Sequence, residues 1–295
     1  MSQVPLAIGF GLVTSAILAL SAVGFTLQFG VSNIFNLAFG DVMTVSAFVA
    51  YAVNVDARAS FWVALFAGAA AGAIASVLIS RVIYAPFLRR GTSRFTMVMV
   101  SLAVAVIVQN AIQALAGAGY RSYDQTQGSS LHLLGMILTP YQLVIIAIAA
   151  GSLLALHLLL RFTRIGKALR ATAADAELAR SCGIATEKVI TLAWAISGAL
   201  CGLGGVTLAL NLATFNFTFG NSFLLIIVAA AVFGSLGQPY GAMAGAVVIG
   251  MVSEIAAIWV PSLKQVVAFA ILVLVLLARP NGLWRGRFTQ AASPP

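Results

Sequence analysis

The sequence predicts an all-α polytopic membrane protein with about eight to nine transmembrane helices, an inverted internal repeat and broken helices. Of the 295 residues, 61% are hydrophobic and only 8% are charged, whereas about 25% of residues are charged in an ordinary soluble domain. Long uncharged intervals separate the charged residues, and a motif near residue 40 returns near residue 220. This composition excludes a soluble fold, and no polar stretch is long enough for a separate soluble domain.

The uncharged intervals locate the spans, because a bilayer core of roughly 30 Å requires about 20 apolar residues per helix. The predicted helices lie near residues 6–29, 34–55, 61–84, 95–116, 140–161, 189–210, 221–236, 241–259 and 262–279. The long uncharged stretch 189–253 is divided between spans at residues 211–221 and 235–241. Both segments contain the turn residues Asn, Gly or Pro, which support these divisions. The N-terminus carries no positive charge ahead of its apolar run, which indicates an uncleaved first span and not a signal peptide.

Lys and Arg set the predicted orientation, because loops retained in the cytoplasm carry the positive excess. Thirteen of the 16 basic residues fall in one set of loops: Arg81, Arg89, Arg90, Arg94, Arg161, Arg164, Lys167, Arg170, Arg180, Lys188, Arg279, Arg285 and Arg287. The opposite set holds Arg58, Arg121 and Lys264. The C-terminus is therefore expected in the cytoplasm and the N-terminus outside. The net charge of +9 follows from this topology and does not predict nucleic-acid binding.

The chain contains a repeat in opposite orientations. Residues 35–41 have the sequence FNLAFGD and residues 215–221 the sequence FNFTFGN, and in the predicted topology the helices that precede them cross the membrane in opposite directions. Inverted repeats with discontinuous helices at equivalent places are typical of transporters. The candidate translocation-path residues are those of the two breaks: Asn36, Phe39, Gly40, Asp41, Asn216 and Asn221.

Asp41 has two interpretations that the sequence leaves open. An ionised carboxylate at the membrane centre costs roughly 2.5–3.5 kcal/mol or more, so the side chain either lines or gates a water-accessible path or caps a helix that begins at Val42. Glu254 is expected to be a paired structural charge near the outer face. Gly-x-x-x-Gly pairs at 68/72, 198/202 and 241/245 predict close helix contacts.

The longest predicted cytoplasmic loop, residues 161–188, is basic and patterned. Its core is rich in helix formers, and Gly183 follows it at a position suited to a helix C-terminus. We therefore expect one short helix outside the membrane. Small residues and one carboxylate recur on one face of it: Ala171, Asp175, Leu178, Ala179 and Cys182. A helix held to lipid headgroups would be expected to carry larger apolar residues, so this face favours docking into a protein groove.

The spacing of Arg170, Ala171, Asp175, Ala179 and Gly183 resembles the coupling motif of LivH-type permeases of branched-chain amino acid ABC importers. The resemblance covers nearly the whole chain, in order, through residues 22–26, 36–41, 197–205, 233–242, 250–254 and 279–283. Phe39 and Asp41 stand where such chains often carry His and Glu, which leaves the substrate class open.

The resemblance implies a permease domain over residues 1–295, with a coupling segment at 162–188 seated in an ATPase. It implies a LivM-like second permease subunit, two cytoplasmic ATPases and a periplasmic substrate-binding protein, in the bacterial inner membrane. ATP would be used by the partners, so no cofactor is expected in this chain. Branched-chain amino acids fit best, and urea, amides and aromatic acids remain open.

Two other function classes fit the residues less well. An ion-coupled secondary transporter would need paired intramembrane acids or His, and the chain offers only Asp41, Glu254 and His157. A membrane enzyme is disfavoured because no HExxH, Walker A or zinc-ligand spacing is present. No catalytic or metal-binding residue is therefore predicted.

Overall fold

The computed structural model describes residues 3–123, 131–133 and 136–259 and, beyond these, only positions 266, 269, 270, 273 and 277. The helices are α1 Gln3–Ser32, α2 Phe39–Tyr51, α3 Phe61–Leu78, α4 Ala85–Arg89, α5 Arg94–Ala116, α6 Pro140–Phe162, α7 Arg164–Ala174, α8 Ala176–Ser181, α9 Thr186–Leu212, α10 Phe219–Phe233 and α11 Pro239–Trp259. Two π-helical turns, Ala52–Asp56 and Ile79–Tyr84, extend α2 and α3. The predicted all-α fold is confirmed.

Six of the helical segments are long and apolar enough to cross a bilayer within the described part of the chain. They are Ala7–Ser32, Phe61–Arg89, Phe95–Ala116, Pro140–Phe162, Thr186–Leu212 and Pro239–Ala257, close to six of the predicted spans. The predicted span 262–279 lies almost wholly outside the described residues.

The predicted spans 34–55 and 221–236 are shorter than expected. They correspond to α2, whose 13 residues continue through the five-residue π-helical turn to Asp56, and to α10, with 15. At 1.5 Å per residue the two helical stretches are about 27 and 23 Å long, less than the hydrocarbon core of about 30 Å. They are half-helices that follow breaks, so the expected broken helices are present.

The two halves of the repeat pack against each other in antiparallel register. Ser21 of α1 abuts Gly204 of α9. Seven residues further along α1, the side chain of Gln28 accepts a hydrogen bond from Ser197 of α9 (3.2 Å). Residue numbers rise along α1 as they fall along α9, so these equivalent helices run in opposite directions. The predicted inversion of the repeat is confirmed by this register.

Small residues bring α3 and α9 into backbone contact. A Cβ atom built on Gly202 would lie 2.6 Å from the carbonyl oxygen of Gly68, and one on Gly198 would overlap the carbonyl oxygen of Gly72. The predicted pairs at 68/72 and 198/202 therefore serve packing within the chain, with the helices again antiparallel. Only glycine permits this separation.

The loop between α5 and α6 holds the described strands, β1 Leu131–Leu133 and β2 Met136–Leu138, which pair antiparallel with Leu131 opposite Leu138. A backbone bridge also joins Arg121, in the same loop, to Phe215, next to the second break. The loop between α5 and α6 is thus tied at Arg121 to the membrane part of the fold.

Candidate functional site

The first break separates α1 from α2 by a turn that Asn36 builds. The side-chain oxygen of Asn36 accepts a hydrogen bond from the backbone N–H of Ala38 (3.1 Å), and its carbonyl accepts from the N–H of Phe39 (3.4 Å). Asn closes such a turn because its short side chain mimics a backbone carbonyl. The hydroxyl of Tyr84 donates to the same oxygen (2.8 Å), so the break is anchored to the end of the α3 segment.

The second break repeats this construction. The side-chain oxygen of Asn216 accepts from the N–H of Thr218 (3.2 Å) and from its hydroxyl (3.0 Å), and the N–H of Phe219 donates to the carbonyl of Asn216 (3.3 Å). Asn36 and Asn216 therefore hold equivalent turns, each three residues before a half-helix. Both predicted breaks are in place and are built alike.

The two half-helices cross where Gly40 of α2 meets Gly220 of α10. A Cβ atom on Gly40 would lie 2.6 Å from the carbonyl oxygen of Gly220, and a Cβ atom on Gly220 would overlap the carbonyl oxygen of Gly40. The contact is reciprocal, as contacts across a two-fold axis are. The hydroxyl of Thr44 donates to Gly40 (3.1 Å), one turn away.

Asp41 does not cap a helix, which corrects one of its two interpretations. Helix α2 begins at Phe39, ahead of Asp41, and its N-cap residue is Ala38. The backbone N–H of Asp41 donates to the carbonyl of Ala38 (3.1 Å). The side chain is 1% exposed, and neither of its oxygens has a hydrogen-bond partner among the described residues. A buried unsatisfied carboxyl group of this kind calls for a functional explanation.

Aromatic side chains enclose the first break. The ring of Phe25 meets Phe35 and Phe39 edge to face, with centroids 5.4 and 5.5 Å apart, and Phe39 is 1% exposed. In this conformation Phe39 therefore seals the break and does not face an open path.

The second break has an aromatic enclosure of its own, centred on Phe215. Its ring lies 5.2 Å from that of Phe48 and 5.5 Å from that of Tyr123, and the guanidinium of Arg121 lies over the ring of Tyr51. The hydroxyl of Tyr123 donates to the carbonyl of Ala47 (3.0 Å). Burial raises the pKa of Tyr123 well above its usual range, so this phenol stays protonated and remains a donor.

The first turns of α10 present a polar face that is not covered within the chain. Asn216 is half-buried, whereas Asn221 and its neighbour Ser222 are exposed, and Leu225 one turn later is 56% exposed. Exposed amides and hydroxyls at membrane depth face a partner or water. The sequence pointed to Asn221 but not to Ser222. Ser222 follows residue 218 by four positions, one helical turn, and this spacing could have indicated it.

The segment between α6 and α9 contains two helices, so the prediction of a single helix is wrong. Asp175 has an extended backbone (φ −158°, ψ 109°), which ends α7 and begins α8. Its carboxylate accepts hydrogen bonds from the N–H groups of Glu177 and Leu178, both at 2.9 Å. Asp is among the best N-cap residues, and here its capping outweighs the helix propensity of the surrounding Ala and Leu.

The predicted small-residue face is divided by this break. Ala179 is 4% exposed and turns toward its own chain, and Ala171 is half-buried, so a single docking face through both is also wrong. Asp175 and Cys182 stay exposed, and Leu178 is 62% exposed. These last three residues form the exposed α8 face.

Both ends of the segment are fixed to membrane helices. Thr163 donates to the carbonyl of Leu159 (2.6 Å) and accepts from the N–H of Gly166 (3.0 Å), and a Cβ atom on Gly166 would overlap the α6 backbone. At the other end Gly183 adopts φ +84°, as predicted for a helix C-terminus, and Arg180 hydrogen-bonds Thr186 at the start of α9. The segment is thereby in direct contact with α6 at one end and with α9 at the other.

The remaining titratable candidates have structural partners. Glu254 accepts a hydrogen bond from the neutral hydroxyl of Thr14 (2.6 Å), and His157 shares a hydrogen bond with Tyr240 (2.9 Å). Within the described residues no group of three His, Cys, Asp or Glu side chains could hold a metal ion.

Comparisons with known proteins match the chain over most of its length. The family described as branched-chain amino acid transport system / permease component matches residues 7–276. The high-affinity branched-chain amino acid transport system permease protein LivH of Salmonella typhimurium is 30% identical and covers 92% of both chains. BraD of Pseudomonas aeruginosa, with the same description, is 26% identical over 92% of this chain and 93% of its own. The ribose import permease protein RbsC of Escherichia coli is 25% identical over 89% and 82%.

Proposed function

This chain belongs to the permease-component family of branched-chain amino acid transport systems, and we propose that it forms part of the membrane path of a binding-protein-dependent ABC importer for branched-chain amino acids. A second, LivM-like permease subunit would complete the path, two cytoplasmic ATPases would drive it, and a periplasmic protein would deliver substrate. ATP would be bound by those partners, and this chain would carry out no chemical step.

The reciprocal crossing of α2 and α10 carries the proposal. Two half-helices with the same Asn-built turn meet at Gly40 and Gly220, and repeats of this kind transport by tilting against each other. The crossing is closed here, and aromatic rings enclose both breaks. Opening would separate the half-helices and expose the buried Asn36, Phe39 and Asp41 to the path.

The exposed polar face of α10 supports a path shared with a second subunit. Asn221 and Ser222 are not covered by this chain, and polar groups at this depth are stable only beside protein or water. Asn216 and Asn221 would thus line the path at the subunit boundary, whereas Asp41 would enter it only as the crossing opens.

The α7–α8 segment is the proposed coupling element. Leu178, exposed beside Asp175 and Cys182, would insert into a groove of the ATPase, and the anchors at Thr163 and Thr186 would carry the motion into α6 and α9. Ala171, Ala179 and Gly183 would act within the chain, by shaping the segment, and Arg170, which is exposed, would take part in coupling from its surface.

The proposed orientation places the coupling segment in the cytoplasm of a bacterial inner-membrane protein, with the N-terminus outside. Its own cysteines test this, because Cys182 is exposed and Cys201 is buried. A membrane-impermeant maleimide is expected to label inside-out vesicles, to leave right-side-out vesicles unlabelled, and to label neither with Cys182→Ala. Equal labelling of right-side-out vesicles would reverse the orientation.

Substrate class is tested by uptake competition in proteoliposomes that contain the permease pair, ATPases and binding protein. Uptake of radiolabelled leucine is expected to be suppressed by excess isoleucine or valine and little affected by urea, phenylalanine or ribose. Omission of the binding protein is the control, and it should abolish uptake. Competition by urea, phenylalanine or ribose but not by valine would reassign the substrate.

A further inference from the structure

A cavity of about 420 Å³ lies where the end of α1 meets α6, α7 and the turn between α10 and α11. It lies away from the crossing at Gly40 and Gly220. Helix α6 has 23 residues, about 35 Å at 1.5 Å per residue, which exceeds the hydrocarbon thickness of about 30 Å. Helix α6 centred in the bilayer would bring its last turn, which lines the cavity, to the level of the lipid headgroups.

The polar lining of the cavity is cationic. Arg161 and Arg170 both line it, and none of its lining residues is Asp or Glu. Neither guanidinium forms a salt bridge or hydrogen bond with another described residue. His157 and Tyr240 line it as well, joined by the 2.9 Å hydrogen bond between them. Two unpaired guanidinium groups beside a hydroxyl suit a phosphate, which accepts several charge-assisted hydrogen bonds.

The rest of the lining is apolar. Leu27, Val31, Leu160 and Leu169 contribute to it, so the cavity combines a cationic part with a hydrocarbon-like part. A soluble phosphate would contact only the cationic lining, whereas a phospholipid has a phosphate for the cationic lining and acyl chains for the apolar lining.

The outer face of α6 is apolar as far as its last turn. Leu154, Leu158 and Phe162 are 59%, 47% and 67% exposed and recur every four residues, so they form one apolar stripe along the helix. The stripe ends at Phe162, whose ring carries the guanidinium of Arg161 at 5.5 Å. A lipid beside this stripe would have its headgroup at Arg161.

We propose that this cavity is a binding site for an anionic phospholipid, with the headgroup phosphate between Arg161 and Arg170 and an acyl chain along the apolar lining. Basic pockets between transmembrane helices bind anionic headgroups in this way. The site goes beyond the proposed transport function and requires only that the chain spans a membrane. Because Arg170 and Leu169 belong to α7, an occupied site would hold the coupling segment against the bilayer.

Native mass spectrometry of the intact permease complex in detergent tests the site. Dioleoyl phosphatidylglycerol and dioleoyl phosphatidylcholine would be added in equal amounts. The wild type is expected to retain phosphatidylglycerol preferentially, and Arg161→Gln/Arg170→Gln to lower that preference about tenfold. Arg164→Gln/Lys167→Gln is the matched control, because both residues are exposed on α7 and neither lines the cavity.

A second variant guards against misfolding of the first. Ala173→Trp fills the cavity from α7 without removing charge and should also displace phosphatidylglycerol. Equal loss in the control pair, no preference over phosphatidylcholine, or retention by both cavity variants would overturn the proposal. So would displacement of the lipid by millimolar glycerol 3-phosphate, which would assign the site to a soluble anion.

Discussion

Asp41 is the residue whose surroundings fit a purely structural role least well. It is buried without a hydrogen-bond partner in the described structure and does not cap α2. Burying a polar group without a partner destabilises the fold by about 1–3 kcal/mol. A side chain that lowers stability and supports no neighbouring contact is best explained by a different conformation in the transport cycle, in which water reaches it.

We therefore predict opposite effects of Asp41→Asn on stability and on transport. The amide has nearly the same shape and no charge, so the melting temperature in detergent should be equal or higher. Leucine uptake should fall about tenfold, as for the loss of an interaction of about 1.4 kcal/mol in the open path. Thermal melting and initial uptake rates measure the two effects.

Ser46→Ala is the matched control for Asp41, because Ser46 is equally buried in α2 but its hydroxyl bonds to the carbonyl of Val42 (2.8 Å). It should leave uptake close to wild type. If Asp41→Asn destabilised the protein without changing the uptake per folded molecule, Asp41 would have a structural role only.

At the scale of the elements, the crossing of α2 and α10 depends on backbone contact. A methyl group on Gly40 or Gly220 would meet the opposite carbonyl oxygen, which belongs to the backbone, so the helices must move apart to accept it. The crossing is thus a tight junction in the closed state and a natural place for two halves to separate.

Gly40→Ala and Gly220→Ala are each expected to lower the free energy of unfolding by about 1–3 kcal/mol, the usual cost of overpacking. Gly151→Ala in α6 is the control, since nothing lies within 4 Å of its added methyl group and Ala favours a helix by about 1 kcal/mol. Equal melting temperatures for the variants at Gly40 and Gly151 would contradict the close crossing.

The break between α7 and α8 is the second feature at this scale. Helix α8 has only six residues, far fewer than an isolated helix needs to be stable. It therefore depends on the two hydrogen bonds that Asp175 accepts and on Ala179, which packs it against its own chain. Leu178 is held in its exposed position by these contacts.

Asp175→Ala should weaken coupling, and Asp175→Asn should preserve it. Alanine removes an N-cap worth about 1 kcal/mol, whereas Asn caps about as well as Asp. The measured quantity is the amount of ATP hydrolysed by the reconstituted complex per leucine imported, which should rise severalfold only for the alanine variant. Equal ratios for the two variants would show that capping is not what coupling requires.

The sequence predicted local features of the molecule well and distant contacts poorly. The Asn-built turns, the half-helix positions and the glycine contacts follow from residue chemistry that operates over a few positions. The break at Asp175 was missed because Ala, Leu and Glu on either side favour a continuous helix, although an Asp inside such a run is also a helix-start signal. Hydropathy alone did not distinguish the half-helices α2 and α10 from full spans.

Contacts between distant residues were not predictable from local patterns. Tyr84 reaches Asn36 across 48 positions, and Tyr123 reaches Ala47 across 76. Likewise, the cavity lined by Arg161 and Arg170 exists only because α7 folds back on α6. Such features depend on the tertiary arrangement and leave no periodic pattern in the sequence.

At the scale of the whole molecule, we propose an importer subunit that partner ATPases drive. An ion-coupled transporter is the rival, and it would use Asp41, Glu254 and His157 within this chain. The two differ in what must be present for uptake, because an ion gradient acts on the membrane subunits alone.

The most direct test is leucine uptake into proteoliposomes under two energy sources. With ATPases, binding protein and ATP present and no ion gradient, we expect uptake that stops when ATP is replaced by a non-hydrolysable analogue. Leu178→Asp should abolish this uptake, and Leu178→Met should retain it. Uptake by the permease subunits alone under a proton or sodium gradient, undiminished by Leu178→Asp, would instead identify an ion-coupled transporter.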